Sequence, residues 1–188
     1  LAILERVTGQ NAATAQTLNN LAALYDEQGA GNKAEPLYRR ALKIWETLGP
    51  KNAANAAATA ASLAGIYYSR HDGANAEPLY LRALMLWHEQ GNSENGDMAD
   101  AMFRLGELYH SRSDNTNAAP MYAHALKIWE TIGQIDIPET ISAQATLGEI
   151  YRAEGMYAEA EPLLKQALKA TEQKLGPDHL DVAPSLNH

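Results

Sequence analysis

The sequence predicts an all-α protein that folds as a right-handed α-solenoid of stacked antiparallel helix hairpins. Two observations lead to this fold class. A residue pattern recurs three more times at a constant offset of 42 residues, and its first copy is TLNNLAALYDEQGAGNKAEPLYRRALKIW at residues 17–45. The composition is rich in Ala, Leu, Glu and Gln, with a single Phe, which favours helices over strands. Recurrence at this period indicates supersecondary units that need their neighbours to bury an apolar face.

Pairs of adjacent positions show that the four copies are in register without gaps. The pairs are Leu24-Tyr25, Ile66-Tyr67, Leu108-Tyr109 and Ile150-Tyr151; Pro36-Leu37, Pro78-Leu79, Pro120-Met121 and Pro162-Leu163; and Ala41-Leu42, Ala83-Leu84, Ala125-Leu126 and Ala167-Leu168. Several independent columns that repeat together indicate one array and not a set of unrelated domains.

The period divides the chain into four full repeats flanked by two partial ones. Leu1, Ile3 and Glu5 match the end of a repeat, and Ala183 and Leu186 match the start of one. We also expect the chain to be an excised fragment, because LAILERVTG is neither a signal peptide nor a natural initiator sequence. The predicted divisions are 1–10 for the end of a truncated preceding repeat, 11–52, 53–94, 95–136 and 137–178 for repeats 1 to 4, and 179–188 for the start of a truncated fifth repeat.

Each repeat is predicted to hold two helices, A and B. Asn11 is the predicted N-cap of the first helix A, and Gly29 and Gly31 are predicted to end it in left-handed conformations. Pro36 lies near the start of helix B, either in its first turn or one turn further in. The predicted helices span 12–28 and 32–48, 54–70 and 74–90, 96–112 and 116–132, and 138–154 and 158–175.

Small residues at fixed positions predict close approach of the helices. Tyr38, Tyr80, Tyr122 and Leu164 are expected to fill the space beside them. His71 and Ser113 replace the glycines that end helix A in repeats 1 and 4, so we expect their turns to be reshaped. The small columns are Ala22, Ala64, Gly106 and Gly148; Ala34, Ala76, Ala118 and Ala160; and Ala41, Ala83, Ala125 and Ala167.

The pattern resembles the tetratricopeptide repeat. The 42-residue form, with TLNNLAALY, AEPLYRRAL and LGPDH at residues 175–179, is most similar to the repeats of kinesin light chains and their bacterial relatives. The resemblance implies a scaffold whose A helices line a concave, peptide-binding side. The aromatic residue that this family usually places before helix B is present only as Tyr157. Gly31, Gly73 and Asn115 occupy that column, so the first three turns are expected to be looser.

Composition argues against several functional classes. A net charge of −8 and a pI near 5.2 oppose nonspecific binding to nucleic acid or anionic membranes, and no apolar run is long enough for membrane insertion. The absence of cysteine excludes disulfides and thiolate chemistry but leaves the compartment undetermined, with the cytoplasm as the default expectation. No catalytic motif is present. His110 and His124 form a conceivable two-histidine metal site, but we predict no enzyme activity, metal or cofactor.

The predicted binding groove lies on helix A, opposite its buried stripe. Its residues differ between copies, whereas the packing columns do not. Phe103, Tyr68 and Arg104 are the predicted anchors, because aromatic and Arg residues are enriched at binding hot spots. The predicted groove residues are Gln16, Asn19, Asn20, Ala23, Asp26, Ser62, Tyr68, Phe103, Arg104, Glu107, His110, Glu149 and Arg152.

We therefore predict a noncatalytic scaffold that binds a protein or peptide with apolar anchors and some basic character. The carboxylate clamp of some tetratricopeptide proteins, two Lys and two Asn, is not matched, since only Asn19 and Arg104 qualify. The alternative is a structural or regulatory module of a larger protein that self-associates through uncapped terminal repeats. Leu1, Ile3 and Leu4 at one end, and Leu163, Leu164 and Leu168 at the other, motivate that alternative.

Overall fold

The computed structural model describes residues 10–91 and 95–175, and of Leu175 only the backbone. The chain divides into two compact units, Leu1–Ser93 and Glu94–His188. The predicted partial repeats fall almost entirely outside the described residues. This applies to the tail at Leu1, Ile3 and Glu5 and to the fifth helix at Ala183 and Leu186.

The described part of the first unit, residues 10–91, consists of two helix hairpins, each with an A helix followed by a B helix. α1 (Ala12–Glu27) pairs with α2 (Gly31–Thr47), and α3 (Ala53–Ser69) pairs with α4 (Gly73–Glu89). A 3₁₀ turn, Pro50–Asn52, joins the hairpins, and α2 packs against α3.

The second unit repeats this arrangement. α5 (Gly96–Ser111) pairs with α6 (Asn115–Thr131), α7 (Pro138–Ala153) pairs with α8 (Tyr157–Leu175), and α6 packs against α7. The all-α hairpin prediction is therefore confirmed, and each described helix begins and ends within one residue of its predicted bounds. None of the described helices is both long and apolar enough to span a bilayer.

Side-chain caps fix several of the helix starts. Asn11 accepts a hydrogen bond from the Thr14 amide at 3.0 Å, as predicted, and Asn95 caps α5 in the same way at 2.9 Å. Asp72 and Asp114 cap α4 and α6. The four prolines in the B helices lie one turn inside, and the helices continue through them.

The predicted small-residue columns form the core of each hairpin. All twelve positions are buried. A β-carbon on Gly106 would lie 3.0 Å from the Tyr122 ring, and one on Gly148 would lie 2.7 Å from Leu164. The A and B helices therefore approach as closely as the sequence predicts, because nothing larger fits between them.

The turns that end the A helices keep one geometry in all four repeats. Gly29, His71, Ser113 and Gly155 have φ values of 70°, 58°, 60° and 79°. In each turn, the amide of the following residue donates to a tyrosine carbonyl in the last helical turn, at 2.8 to 3.0 Å. The prediction of reshaped turns at His71 and Ser113 is wrong, because the hydrogen bonds hold even these residues left-handed. Gly31 is also not left-handed; it begins α2.

Glycine at the two non-glycine turns should stabilise the protein. His71→Gly or Ser113→Gly removes a left-handed backbone strain of about 1–2 kcal/mol. Glycine also raises the entropy of the unfolded chain, which offsets part of this gain, so the free energy of unfolding should rise by about 0.5–1 kcal/mol. Urea unfolding of each variant measures this gain. Gly155→Ser is the reverse control, since a β-carbon there meets no atom within 4 Å and would add only backbone strain. If all three variants were as stable as the parent protein, the claim that His71 and Ser113 are strained would be contradicted.

A charged network joins α2 to α3 in the first unit. Glu35 accepts hydrogen bonds from the Tyr67 hydroxyl at 2.6 Å and from Arg70 at 2.7 Å, and it pairs with Arg39 at 3.2 Å. Arg39 also donates to the Tyr67 hydroxyl. The hydrogen bond from Tyr67, followed by the one from Arg70, lowers the pKa of Glu35 to about 2.

This network should make stability depend on pH. Because the folded-state pKa of Glu35 lies below the ordinary value of 4.5, its contribution is complete above pH 4.5 and is lost as the pH falls towards 2. We expect Glu35→Gln to cost about 1–2 kcal/mol at pH 7, after allowance for solvent screening of the arginines. The free energy of unfolding of both proteins should converge towards pH 2. Glu89→Gln, at an exposed site on α4, controls for the lost charge, and a pH-independent difference for Glu35→Gln would exclude this mechanism.

Candidate interaction surfaces

The predicted groove residues lie on the A helices of both units. Within each unit, the two A helices are neighbours. We call the predicted positions on α1 and α3 the first A-helix face, and those on α5 and α7, apart from Phe103, the second A-helix face. The first comprises Gln16, Asn19, Asn20, Ala23, Asp26, Ser62 and Tyr68, and the second comprises Arg104, Glu107, His110, Glu149 and Arg152.

Amide groups dominate the α1 side of the first A-helix face. Gln16 donates to the Asn20 side-chain oxygen at 2.8 Å, and both residues are exposed. Asn19 is half-buried, and its side-chain oxygen accepts a hydrogen bond at 2.9 Å from Thr59 on α3. Asn19 thus holds the two A helices together, whereas Gln16 and Asn20 can reach a ligand.

The α3 side of this face is built from small residues. Ala58, Ala61 and Gly65 are half-buried and leave a shallow surface beside Tyr68. Ser62 is less available to a ligand, because its side chain hydrogen-bonds the buried Tyr38 hydroxyl. Burial raises the pKa of Tyr38, and this hydrogen bond partly opposes the rise. The Ala23 side chain is also half-buried.

Asp26 ends the α1 side of the first A-helix face. Partial burial raises the pKa of Asp26, and the nearby Arg70 guanidinium only partly opposes this rise. A cation brought by a partner would stabilise the charged carboxylate.

Phe103 does not belong to the exposed surface. The prediction that it forms an exposed anchor is wrong, since its side chain is only 2% exposed. Its ring centroid lies 5.8 Å from that of Tyr122 and 5.6 Å from that of Trp129, and the Arg104 guanidinium covers it at 5.1 Å. Burying a phenyl ring against two aromatic residues yields more free energy than leaving it in water.

Arg104 links the two A helices of the second unit. It pairs with Glu107 on its own helix at 2.9 Å and with Glu139 on α7 at 3.7 Å. It also lies over Phe103, so it closes the core and contributes charge to the surface. On α7, Arg152 pairs with Glu149 at 2.6 Å. At the end of α5, His110 hydrogen-bonds Asn115 at 2.9 Å.

Carboxylates outnumber cations on this part of the second unit. Both arginines already have acidic partners. Asp100 has a raised pKa, first because it is partly buried and second because Glu139 repels its charged form. An added cation would therefore relieve repulsion here. The residues concerned are Asp97, Asp100, Glu107, Glu139 and Glu149, against Arg104 and Arg152.

Sequence reasoning did not include Glu139 and Thr59 among the residues that build these surfaces. The sequence did contain a signal for Glu139: Asp97, 42 residues earlier, places a carboxylate at the same repeat position. Thr59 lies on the buried side of α3, and only its hydrogen bond to Asn19 reveals its part. Among the described residues, no group of three or more His, Asp or Glu side chains is arranged to hold a metal ion.

Comparison with known proteins bears on the fold and the family. The tetratricopeptide repeat family matches residues 55–131 and 139–188, and a second tetratricopeptide repeat family matches residues 14–48. No curated protein matches the chain.

Several solved structures are similar in fold. BtubC (BKLC) from P. vanneervenii superposes with a TM-score of 0.68 at 27% identity, over 88% of this chain and 65% of that chain, so this chain spans less than two thirds of its length. The Podosopora anserina putative kinesin light chain repeats give a TM-score of 0.65 at 19% identity, over 92% of this chain and 82% of that chain. The apo form of RapI gives 0.74 at 16% identity, over 97% and 48%.

The family matches cover most of the chain, and the fold of its similar structures agrees with the hairpins described above. The repeat period, the small-residue columns and the glycine-type turns all conform to that assignment. The chain therefore belongs to the tetratricopeptide repeat family.

Proposed function

We propose that this protein is a noncatalytic scaffold that binds a peptide or protein segment on its A-helix faces. Membership of the tetratricopeptide repeat family supports a protein-interaction role in general. The main support for the location is the charge on and around the second A-helix face, where the five carboxylates named above exceed the two arginines and the nearby Asp100 has a raised pKa. Such a surface favours a partner that brings cations.

The two faces favour different ligand chemistry. The amides of Gln16 and Asn20 and the small residues of α3 suit an extended backbone with small or apolar side chains. The carboxylates on α5 and α7 suit Lys or Arg. The directly contacting anchors in this proposal are Tyr68 and Arg104, whereas Phe103 supports Arg104 from below.

A peptide-display selection on the purified chain tests the proposal. We expect enrichment of peptides that combine basic and apolar residues. Charge reversal on the second A-helix face, Glu107→Lys with Glu149→Lys, should weaken a selected peptide at least about tenfold, which corresponds to about 1.4 kcal/mol. Affinity should also fall with added salt, because the contacts are ionic.

Glu130→Lys with Glu154→Lys is the matched control. It changes net charge equally, and both residues are exposed in the same unit but off the A-helix face. Equal weakening by the control pair would mean that only net charge matters. Selection of acidic peptides, or of none, would contradict the proposed partner.

Self-association is the second candidate function. Leu164 and Leu168 on α8 remain half-buried and present apolar surface. Sedimentation of the chain over a wide concentration range tests this alternative. A dimer that Leu168→Glu dissociates would support it, and a monomer at every concentration would exclude it.

A further inference from the structure

The second unit contains a cleft whose lining includes none of the residues of the second A-helix face. It lies between the two B helices, α6 and α8, with α7 as its floor, and its volume is about 700 Å³. Leu126, Leu147 and Leu163 give it an apolar lining, with Tyr151 at one end and Ile135 at the other. A volume of this size is typical of small-molecule sites.

Several residues around the cleft are smaller than those at the equivalent repeat positions of the first unit. In the first repeat, the equivalent columns hold Glu35 and Arg39, which both hydrogen-bond the Tyr67 hydroxyl. Two repeats later, Ala119 and Ala123 occupy the same two columns on α6, and Ala123 lines the cleft. On α8, Ala170 occupies the column where α4 has the buried Leu86. These truncations combine at one site, which makes the cleft specific to the second unit's own sequence.

Two lysines line the cleft from opposite helices. Lys127 on α6 and Lys169 on α8 occupy equivalent repeat positions on either side of α7. Neither lysine forms an ion pair with any residue in 10–91 or 95–175. Their aliphatic stems can cover apolar surface while the ammonium groups stay at the opening.

The other charges lie towards the two ends of the cleft. Glu130 and Asp136 are at the end where α6 finishes, and Glu159 is at the end where α8 begins. Gln144 donates to Gln166 at 3.1 Å between α7 and α8. The floor of the cleft is therefore apolar, and Lys127 and Lys169 are the cations of its lining. Glu130 lies one helical turn from Lys127, and Asp136 and Glu159 lie towards the two ends.

We propose that this cleft binds a small amphipathic monocarboxylate. The aliphatic body lies on Leu126, Leu147 and Leu163, and the carboxylate lies between the ammonium groups of Lys127 and Lys169. The site is separate from the A-helix faces, so it does not depend on the scaffold function proposed above.

Titration of the ¹⁵N-labelled chain with octanoate tests the site. We expect saturable shifts at the amides of α6, α7 and α8, and at least tenfold weaker binding of octanol and octylamine, which share the chain but lack the anion. Lys127→Gln with Lys169→Gln should weaken octanoate at least tenfold. Lys43→Gln, at the equivalent position of α2, should leave the affinity unchanged.

A cavity-filling variant tests the location without altering charge. Ala170→Leu restores the side chain that repeat 2 carries at this position, so the fold is expected to tolerate it, and octanoate binding should be lost. Thermal unfolding verifies that the variant is folded. Retained binding in Ala170→Leu, equal or tighter binding of octylamine, or no saturable shift with octanoate would each overturn the proposal.

Discussion

Phe103→Ala should destabilise the protein by about 3–5 kcal/mol, the cost of emptying a buried phenyl site. The ring is buried between Tyr122 and Trp129, and the Arg104 guanidinium covers it. Its removal leaves a cavity and also frees Arg104 from its aromatic support. Urea unfolding, followed by circular dichroism, measures the loss.

Arg104→Ala separates the packing role of Phe103 from the surface role of Arg104. It removes two partly exposed ion pairs and one cation–π contact, so we expect a smaller loss, of about 1–2 kcal/mol. The packing account requires Phe103→Ala to be clearly the more destabilising of the two. A loss under 1 kcal/mol for Phe103→Ala would show that the ring is not a core residue.

Gly106→Ala should destabilise the protein by about 1–3 kcal/mol, although alanine is the better helix former. The new β-carbon would lie 3.0 Å from the Tyr122 ring. That ring cannot readily retreat, because it is buried and packs against Phe103. Equilibrium unfolding in urea gives the sign and size of the change.

Gly65→Ala is the matched control for this prediction. Gly65 is also a helical glycine of an A helix, but its β-carbon would meet only the Tyr80 hydroxyl, at an ordinary 3.9 Å. We expect Gly65→Ala to stabilise the protein by up to about 1 kcal/mol through helix propensity. If the two substitutions change stability in the same direction, close helix approach does not explain Gly106.

The fold was predictable because each repeat confirms the others. A helix boundary read from one copy is weak, but Asn11 and Asn95 cap equivalent helices, and glycine or its substitute ends each A helix. The small columns also predicted the contacts that Gly106 and Gly148 make. Local chemistry and the period therefore pointed to one answer.

The surface was less predictable, and Phe103 shows why. Its column holds Asn19, Ala61 and Ala145 in the other repeats, and such residues indicate a solvent-facing position. A large apolar side chain at the edge of that position can instead turn inward, because burial outweighs its helical register. Periodicity predicts the direction of a Cα–Cβ bond but not the path of a long side chain.

The left-handed turns show the same limit at the backbone. Sequence reasoning treated His71 and Ser113 as changes in turn geometry, because both carry a β-carbon. The surrounding hydrogen bonds keep the turn unchanged and leave the residues strained. The cleft beside Ala170 was equally hidden, since its lining combines small residues from two different columns, at Ala123 on α6 and Ala170 on α8.

Chemical-shift mapping of the ¹⁵N-labelled chain, saturated with a display-selected peptide, tests the proposed binding surface most directly. Our account predicts the largest shifts at positions of the two A-helix faces, such as Gln16 and Asn20 on α1 and Glu107 and Arg152 on α5 and α7. It predicts small shifts along α2, α4, α6 and α8. Shifts confined to those B helices would contradict the account, because the partner would then bind the opposite side of the hairpins.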